Sequence, residues 1–257
     1  MMPDPKHRFS DRVENYIRYR PSYPREVLGL LRTECGFTPQ SVVADIGSGT
    51  GILSKLFLQN GNRVFGVEPN AEMRSAGDRL LAEYEGFTSI TGSAEQSQLA
   101  HASVDLVAAG QAFHWFDRPR ARAEFQRILK PGGWVVILWN NRLTDTTPFL
   151  RAYEDLLLSC GTDYAQIDHK NITDDVLHEF FQHHGFKPKL FPNQQVFDFD
   201  GLRGRALSSS YVPPEGHSSH AAFMQALSEI FVAHNRDGQV MFEYETQVYY
   251  GRLATKL

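Results

Sequence analysis

The chain has 257 residues, of which 42% are hydrophobic and 22% charged, and its net charge is -4. That is enough apolar material for a sizeable core in one enlarged domain, and it comes without the basic stripe by which nucleic-acid binders displace counterions. Cys35 and Cys160 are too few and too far apart for a disulfide framework or a zinc site, and no apolar run suits a bilayer or a signal peptide, so a cytoplasmic protein acting on a small molecule, with no nucleic-acid or membrane partner, is expected.

In chain order, Tyr16, Tyr19, Arg20 and Tyr23 stand among Pro21 and Pro24, ahead of a helix expected from about Pro24 through Val27, Leu28, Leu30 and Leu31. A proline suits the first turn of a helix, where its missing N–H is no loss. The tyrosines either pack this helix down or reach a site. Val42 to Ile46 reads as a buried strand with an acid, Asp45, near its carboxyl end. Gly47-Ser48-Gly49-Thr50-Gly51 follows, and then Ile52, Leu53, Leu56 and Phe57 at helical spacing. Alternating glycines free the backbone to take positive φ and let a ligand lie against it without meeting a Cβ. Asn60-Gly61-Asn62 caps that helix. Arg63 to Glu68 is the second strand. In a parallel βαβ unit, Glu68, 17 residues beyond Gly51, lies beside the end of the first strand, where its carboxylate can accept from a ribose diol. Met73, in the helix opened by Pro69-Asn70-Ala71-Glu72, is either core or a soft wall against a purine.

A third strand, Phe87 to Thr91, runs into Gly92-Ser93-Ala94-Glu95. The fourth, Ser103 to Gly110, delivers Gln111-Ala112-Phe113-His114-Trp115-Phe116 to the same edge of the sheet. Pro119 starts a helix through Ala123, Phe125, Ile128 and Leu129, and Pro131-Gly132-Gly133 turns into a fifth strand, Trp134 to Trp139, apolar throughout as a doubly covered strand should be. Arg142 to Lys170 reads as an insertion with a helix around Phe149, Tyr153, Leu156 and Leu157. Asp174 to His184 is an amphipathic helix closed by Gly185, and Leu190 to Phe199 a sixth strand. Gly201 to His234 carries a short helix, the Ser208 to Pro214 loop and a longer helix. Gln239 to Arg252 alternates as a long final strand.

The ligand class follows from two details of the glycine turn. A dinucleotide fingerprint wants a glycine at the sixth position, where this chain has Ile52. Asp45 repels a pyrophosphate but attracts an ammonium or a sulfonium. A nicotinamide-dependent oxidoreductase is thereby the weaker reading, and a non-catalytic adenosyl-ligand-binding protein is the other alternative.

Asp45 to Gly51 together with Glu68 resembles the first two motifs of the class I S-adenosylmethionine-dependent methyltransferases of the small-molecule, methyltransferase type 11-like branch. Gly92 to Glu95, Gln111 to Phe116 and Leu129-Lys130-Pro131-Gly132-Gly133 fall in that family's order, and together the motifs span about half the chain. The resemblance implies a Rossmann-like, doubly wound α/β fold: a seven-stranded, mostly parallel sheet with an antiparallel last strand and a helical lid. It also implies one methyltransferase domain over 1–257, with a cofactor-binding core at about 36–141, an amino-terminal cap at about 1–35 and lid insertions at about 142–173 and 200–238. The implied cofactor is S-adenosyl-L-methionine, leaving S-adenosylhomocysteine as product. Asp45, Gly47 and Gly49 then hold its methionyl part, Glu68 the ribose, and Met73, Ser93, Ala94 and Glu95 the adenine. Gln111 closes the methionyl side, with Ser48, Pro69 and Ala112 also in the cofactor site. The family more often has an aspartate where Ser93 stands, so this adenine contact is expected to be weaker. Tyr19-Arg20-Pro21-Ser22-Tyr23-Pro24 resembles the opening of small-molecule members, whose first segment folds over cofactor and substrate.

Methyl transfer from a sulfonium is a direct displacement that needs alignment and exclusion of water more than a covalent participant. His114 is a candidate base for a protonated acceptor, the alternative being that it packs between Phe113 and Trp115 or lines the cofactor. Tyr19, Arg20, Trp115 and Tyr211 are the candidate substrate contacts. Arg142, Arg203 and Arg205 either pair with a substrate carboxylate or are solvated. Aromatic Tyr16, Tyr23 and Phe116 suit a planar acceptor. No histidine has a Glu or Cys partner at metal-ligand spacing, so no metal is expected. Nothing in the sequence specifies the acceptor or the oligomeric state.

Overall fold

The computed structural model describes residues 13–162, 164 and 172–253. The amino-terminal stretch forms two helices, α1 (Val13–Tyr19) and α2 (Glu26–Cys35). Pro24 lies two residues ahead of α2, outside the first turn, where its carbonyl accepts from the Val27 N–H at 3.2 Å. The alternating core then runs β1 (Val42–Ile46), α3 (Ile52–Gln59), β2 (Arg63–Val67), α4 (Ala71–Leu80), β3 (Phe87–Ile90), β4 (Val104–Gly110), α5 (Arg118–Ile128) and β5 (Leu129–Arg142). Beyond it come α6 (Pro148–Cys160), α7 (Asp174–Phe181), β6 (Phe186–Phe197), α8 (Phe199–Leu207), α9 (His220–His234) and β7 (Val240–Gly251).

The seven strands form one sheet in the order β3-β2-β1-β4-β5-β7-β6. β1 pairs in parallel with β2 and with β4, β4 in parallel with β5, and β7 runs antiparallel to both its neighbours. The sheet is therefore mostly parallel with an antiparallel last strand, the Rossmann-like pattern expected. The strand order reverses between β1 and β4, and a crevice at such a switch point is where open sheets of this kind take ligands.

Strand periodicity divides the core between the two faces. On one face Ala44 and Ile46 pack with Phe125 and Ile128 of α5 and Leu177 and Phe180 of α7. On the other, Val43 packs with Val27 and Leu31 of α2 and Leu53 and Phe57 of α3. A third core lies beyond the sheet proper, where Phe149, Tyr153 and Leu157 of α6 meet Leu202 of α8, Phe223 and Leu227 of α9, and Val240, Phe242 and Tyr244 of β7.

Some boundaries move. β5 begins at Leu129 and passes through Pro131-Gly132-Gly133 with a register irregularity opposite Val104 to Leu106, instead of starting after that tripeptide. β6 begins four residues earlier than its alternation suggests and stops at Phe197, because the Asp198 carboxylate accepts from the Gly201 N–H at 2.8 Å and caps α8. Pro188 masks the first four residues of the strand in the sequence, yet β6 is an edge of the sheet, where a missing N–H is tolerated. α7 stops at Phe181, and Gln182 to His184 form a separate tight turn.

Candidate active site

A cavity of about 640 Å³ opens over the carboxyl ends of β1, β2, β4 and β5. Its floor is the glycine turn. Gly47 has φ +71°, and a Cβ there would lie 2.6 Å from the Ala112 Cβ, so only glycine lets the turn after β1 approach the turn after β4 this closely. The Gly47 and Ser48 N–H groups donate to the Val67 carbonyl, at 2.8 and 3.2 Å, tying the turn to β2.

Asp45 is 1% exposed. Its Oδ2 accepts from the Ser54 hydroxyl at 2.7 Å, whereas its Oδ1 is buried without a partner among the described residues. Burial pushes its carboxyl up to about 7, the Ser54 bonds opposing and the nearby Glu68 carboxylate adding to the rise. Glu68 is also buried. One of its oxygens accepts from the Gly49 N–H at 2.9 Å and the other from the Asn70 N–H at 2.8 Å. Burial raises its carboxyl too, against those amides and Arg74. Two amide bonds leave lone pairs on both oxygens.

Asn70 caps α4 by accepting from the Met73 N–H at 2.9 Å, which brings Met73 to the cavity wall. Ser93, Ala94 and Glu95 line the same end as Glu68, Pro69 and Met73. Their turn is closed by Ser93 and Gln96 exchanging backbone bonds at 3.0 and 3.3 Å. It is anchored through Ser97, whose N–H and hydroxyl both donate to Glu124 of α5, at 2.8 and 2.5 Å. Gln111 holds φ +58°, donates its backbone N–H to the Leu138 carbonyl and its side-chain amide to the Asn140 carbonyl, and lines the middle of the cavity with Ala112.

The structure thus places Asp45, Gly47, Ser48, Gly49, Glu68, Pro69, Met73, Ser93, Ala94, Glu95, Gln111 and Ala112 on one wall system. His114 and Trp115 stand at the mouth in a single tight turn, ring centres 4.7 Å apart. Arg20, Tyr23, Phe116, Arg142, Arg205 and Tyr211 join the lining. Tyr19 does not: its ring packs on Gly204, where any side chain would collide with it, and edge-on against Phe197 at 6.3 Å. The aromatic ring is spent holding α1 to α8. Arg203 is exposed on the outer face of α8. The Tyr16 side chain lies outside the described residues.

The sequence reading missed Ser54, Asn140, Glu154, Tyr164 and Tyr244. Ser54 had a readable signal, as a lone hydroxyl among Leu53, Leu56 and Phe57 on an otherwise apolar helix face. Asn140 sits at the end of β5, 7% exposed, and donates to the Ser22 carbonyl at 3.2 Å. It accepts from Thr246 at 2.5 Å and from Asn193 at 3.2 Å. Asn193 and Gln195 of β6 also donate to the Ser22 and Tyr19 carbonyls, at 2.8 and 3.2 Å, and Arg20 donates to the Ser208 carbonyl at 2.9 Å. Tyr19 to Ser22 is a strap stitched across the cavity.

Doubly wound topology, a glycine turn with an acid at its base and a second acid one strand away define the class: a Rossmann-like α/β protein with its ligand crevice at the switch point of the sheet. A methyltransferase domain model matches residues 44–137. An uncharacterized methyltransferase of Schizosaccharomyces pombe is 28% identical over 249 residues, 94% of this chain and 95% of its own length. One from Geobacillus kaustophilus is 30% identical over 161 residues, 61% of this chain and 73% of its own length. One from Mycobacterium tuberculosis is 38% identical over 134 residues, 52% of each chain. Among solved structures, a protein described as a type II methyltransferase from Anaeromyxobacter dehalogenans shares the fold with a TM-score of 0.69 at 21% identity, over 91% of this chain and 98% of that one. The chain belongs to the methyltransferases, and the fold implies a cofactor of the S-adenosylmethionine type.

Two features of the site fit that cofactor. Asp45 Oδ1 is an unpartnered buried acceptor at the base of the turn, and Gly47 and Gly49, both at positive φ, line the cavity without a side chain. No helix among the described residues is long and apolar enough to cross a membrane, and no three potential ligands gather as a metal site among them.

Proposed function

We propose that this protein transfers the methyl group of S-adenosyl-L-methionine to a small-molecule acceptor by direct displacement, releasing S-adenosylhomocysteine. The observation that carries the reading is one continuous cavity that joins the acid-based glycine turn to a second, aromatic and cationic end. At about 640 Å³ it lies in the range of small-ligand sites. When bound, the cofactor supplies an electrophilic methyl carbon on a sulfonium. The rest is the work of this chain's residues.

Asp45 Oδ1 accepts from the methionyl ammonium, Glu68 from the ribose hydroxyls, and Ser93 to Glu95 with Met73 take the adenine. Gln111, fixed by two hydrogen bonds, closes the methionyl side. The Tyr19 to Ser22 strap, α6 and α8 cover the cavity, with α9 packed behind them, so that the displacement runs in a desolvated site with its partners held in line. His114, on the cavity wall beside Trp115, is placed to take a proton from a protonated acceptor. We read residues 1–257 as one methyltransferase unit, with the cap and the two lid insertions serving the acceptor end.

Equilibrium titration with S-adenosylmethionine, together with mass-shift screening of small acids, amines and phenols against a methyl-labelled cofactor, tests this. Saturable cofactor binding and a mass shift of one methyl on a small acceptor are expected. Binding of NAD in preference to the adenosyl ligand would overturn the reading.

A further inference from the structure

The end of the cavity away from the glycine turn is built around cations. Arg142, the last residue of β5, has a side chain only 9% exposed. Its Nη2 donates to the Glu154 carboxylate and to the Tyr164 hydroxyl, while its Nη1 is buried with no partner among the described residues. Arg205 of α8 is 4% exposed, and its strongest bonds go to neutral hydroxyls, Nε to Tyr244 at 3.2 Å and Nη1 to Ser209 at 3.0 Å. The two guanidiniums share a neighbourhood. Arg142 is paired with Tyr244 across β5 and β7. Arg142 lies 5.1 Å from the centre of the Tyr153 ring and Arg205 5.7 Å from that of Phe242, and those two rings are 5.0 Å apart. Arg20 enters from the strap. Among the described residues lining this end, three guanidiniums face one carboxylate, Glu154.

A buried guanidinium without an anion is an expensive arrangement unless something supplies the charge. The local field already shows the excess: although burial acts to raise it, the Tyr211 hydroxyl is held below the usual tyrosine range by Arg205, Arg20 and Arg142. The unpartnered Nη1 of Arg142, the neighbouring Arg205 guanidinium and a hydroxyl suit a planar, singly charged oxyanion. A phosphate dianion fits less well, because Glu154 already offsets Arg142 and Arg20 is turned to the Ser208 carbonyl, so the anchoring pair of Arg142 and Arg205 keeps a single uncompensated charge.

We infer that this end of the cavity binds a carboxylate of the methyl acceptor, with Arg142 and Arg205 as its anchoring pair. The inference deepens the proposed function and names the acceptor class, leaving open which atom is methylated.

The test uses three matched probes, phenylacetate, phenylacetamide and phenyl phosphate, titrated by NMR into the full chain with and without saturating S-adenosylhomocysteine. Phenylacetate should bind at least tenfold more tightly than the amide and more tightly than the phosphate. Arg142→Lys and Arg205→Lys, which keep the charge but remove the fork, should each weaken phenylacetate by about ten- to a hundredfold, the range for a lost charge-assisted bond. Glu154→Gln, which releases Arg142 from its ion pair, should strengthen phenylacetate binding, an effect that a purely structural Arg142 would not produce. Acid and amide binding equally, either lysine variant leaving the affinity unchanged, Glu154→Gln failing to raise it, or the phosphate binding best would each overturn the assignment. The S-adenosylhomocysteine titration reads the cofactor site separately. Its failure beside a retained preference for the acid would sink the cofactor placement and leave the carboxylate site standing.

Discussion

Burial makes the ionised form of Asp45 costly until a cation joins it. Its carboxyl is raised to about 7 by burial, so in the free protein the proton is retained well above the usual range. An acid whose folded pKa lies above its unfolded value of about 4 contributes stability at low pH that is lost as pH rises through the folded value, so stability should fall between about pH 4 and pH 7. Asp45→Asn should flatten that decline when melting temperature is followed across the same range, and an unchanged pH profile would show that Asp45 titrates normally. Ligand binding has the opposite sign. An ammonium needs the ionised carboxylate, so the affinity for S-adenosylhomocysteine should drop by up to about tenfold for each pH unit below 7, and in Asp45→Asn it should be weak and lose that dependence. His114 belongs to the same scale. His114→Ala should slow turnover by about a hundredfold with cofactor affinity kept, as expected for loss of a general base. Unchanged turnover would reduce the ring to a wall of the cavity.

At the scale of elements, what positions the cofactor end is the junction of a strand with a glycine turn, and this was the most legible part of the sequence. The acid, the alternating glycines, Glu68 one strand on and the loops after the third and fourth strands all follow from local pattern and from the rule that ligands sit beyond the carboxyl ends of parallel strands. Each signal is carried within one βαβ unit or one strand–loop junction. The turn also makes the sharpest prediction: Gly47→Ala places a Cβ 2.6 Å from that of Ala112 at a φ of +71°, so cofactor binding should be lost while the far strands keep their protection from hydrogen exchange. The strap was legible from its own residues only as a tyrosine- and proline-rich segment, and its covering role came from the resemblance of Tyr19 to Pro24 to the opening of small-molecule members. Its anchors, Asn140, Asn193 and Gln195, are more than a hundred residues away, polar residues near the ends of strands that no local period distinguishes from solvated ones. Tyr19 was singled out for a site and instead packs on Gly204. The same aromatic ring suits a helix contact and a ligand contact equally, and only the fold decides between them.

Across the whole molecule three cores divide the labour. Two lie on the faces of the sheet and support the glycine-turn end of the cavity, while the third joins α6, α8 and α9 to the first half of β7 and supports the arginine-lined end. The helices of the third core were readable from their periodicity, but their common packing was not, because it depends on β6 and β7 running together past the end of β5 to carry Val240, Phe242 and Tyr244 among them. Phe242 is the centre of that core, fully buried, with ring contacts to Phe149 at 5.2 Å, Tyr153 at 5.0 Å and Phe197 at 5.9 Å. It also underlies Arg205. Truncating a buried phenylalanine costs about 3–5 kcal/mol through lost burial and the cavity left behind. If the acceptor end is a separately stabilised unit, Phe242→Ala should loosen α6, α8 and α9 first, seen as faster amide exchange there than in β1, β2 and β4. Acceptor turnover should fall sharply while S-adenosylhomocysteine affinity stays within about threefold, as expected for sites that share no partners. Equal loss of protection in all strands, with cofactor binding lost in step, would mean instead that lid and sheet melt as one body and that the two ends of the cavity cannot be tuned independently.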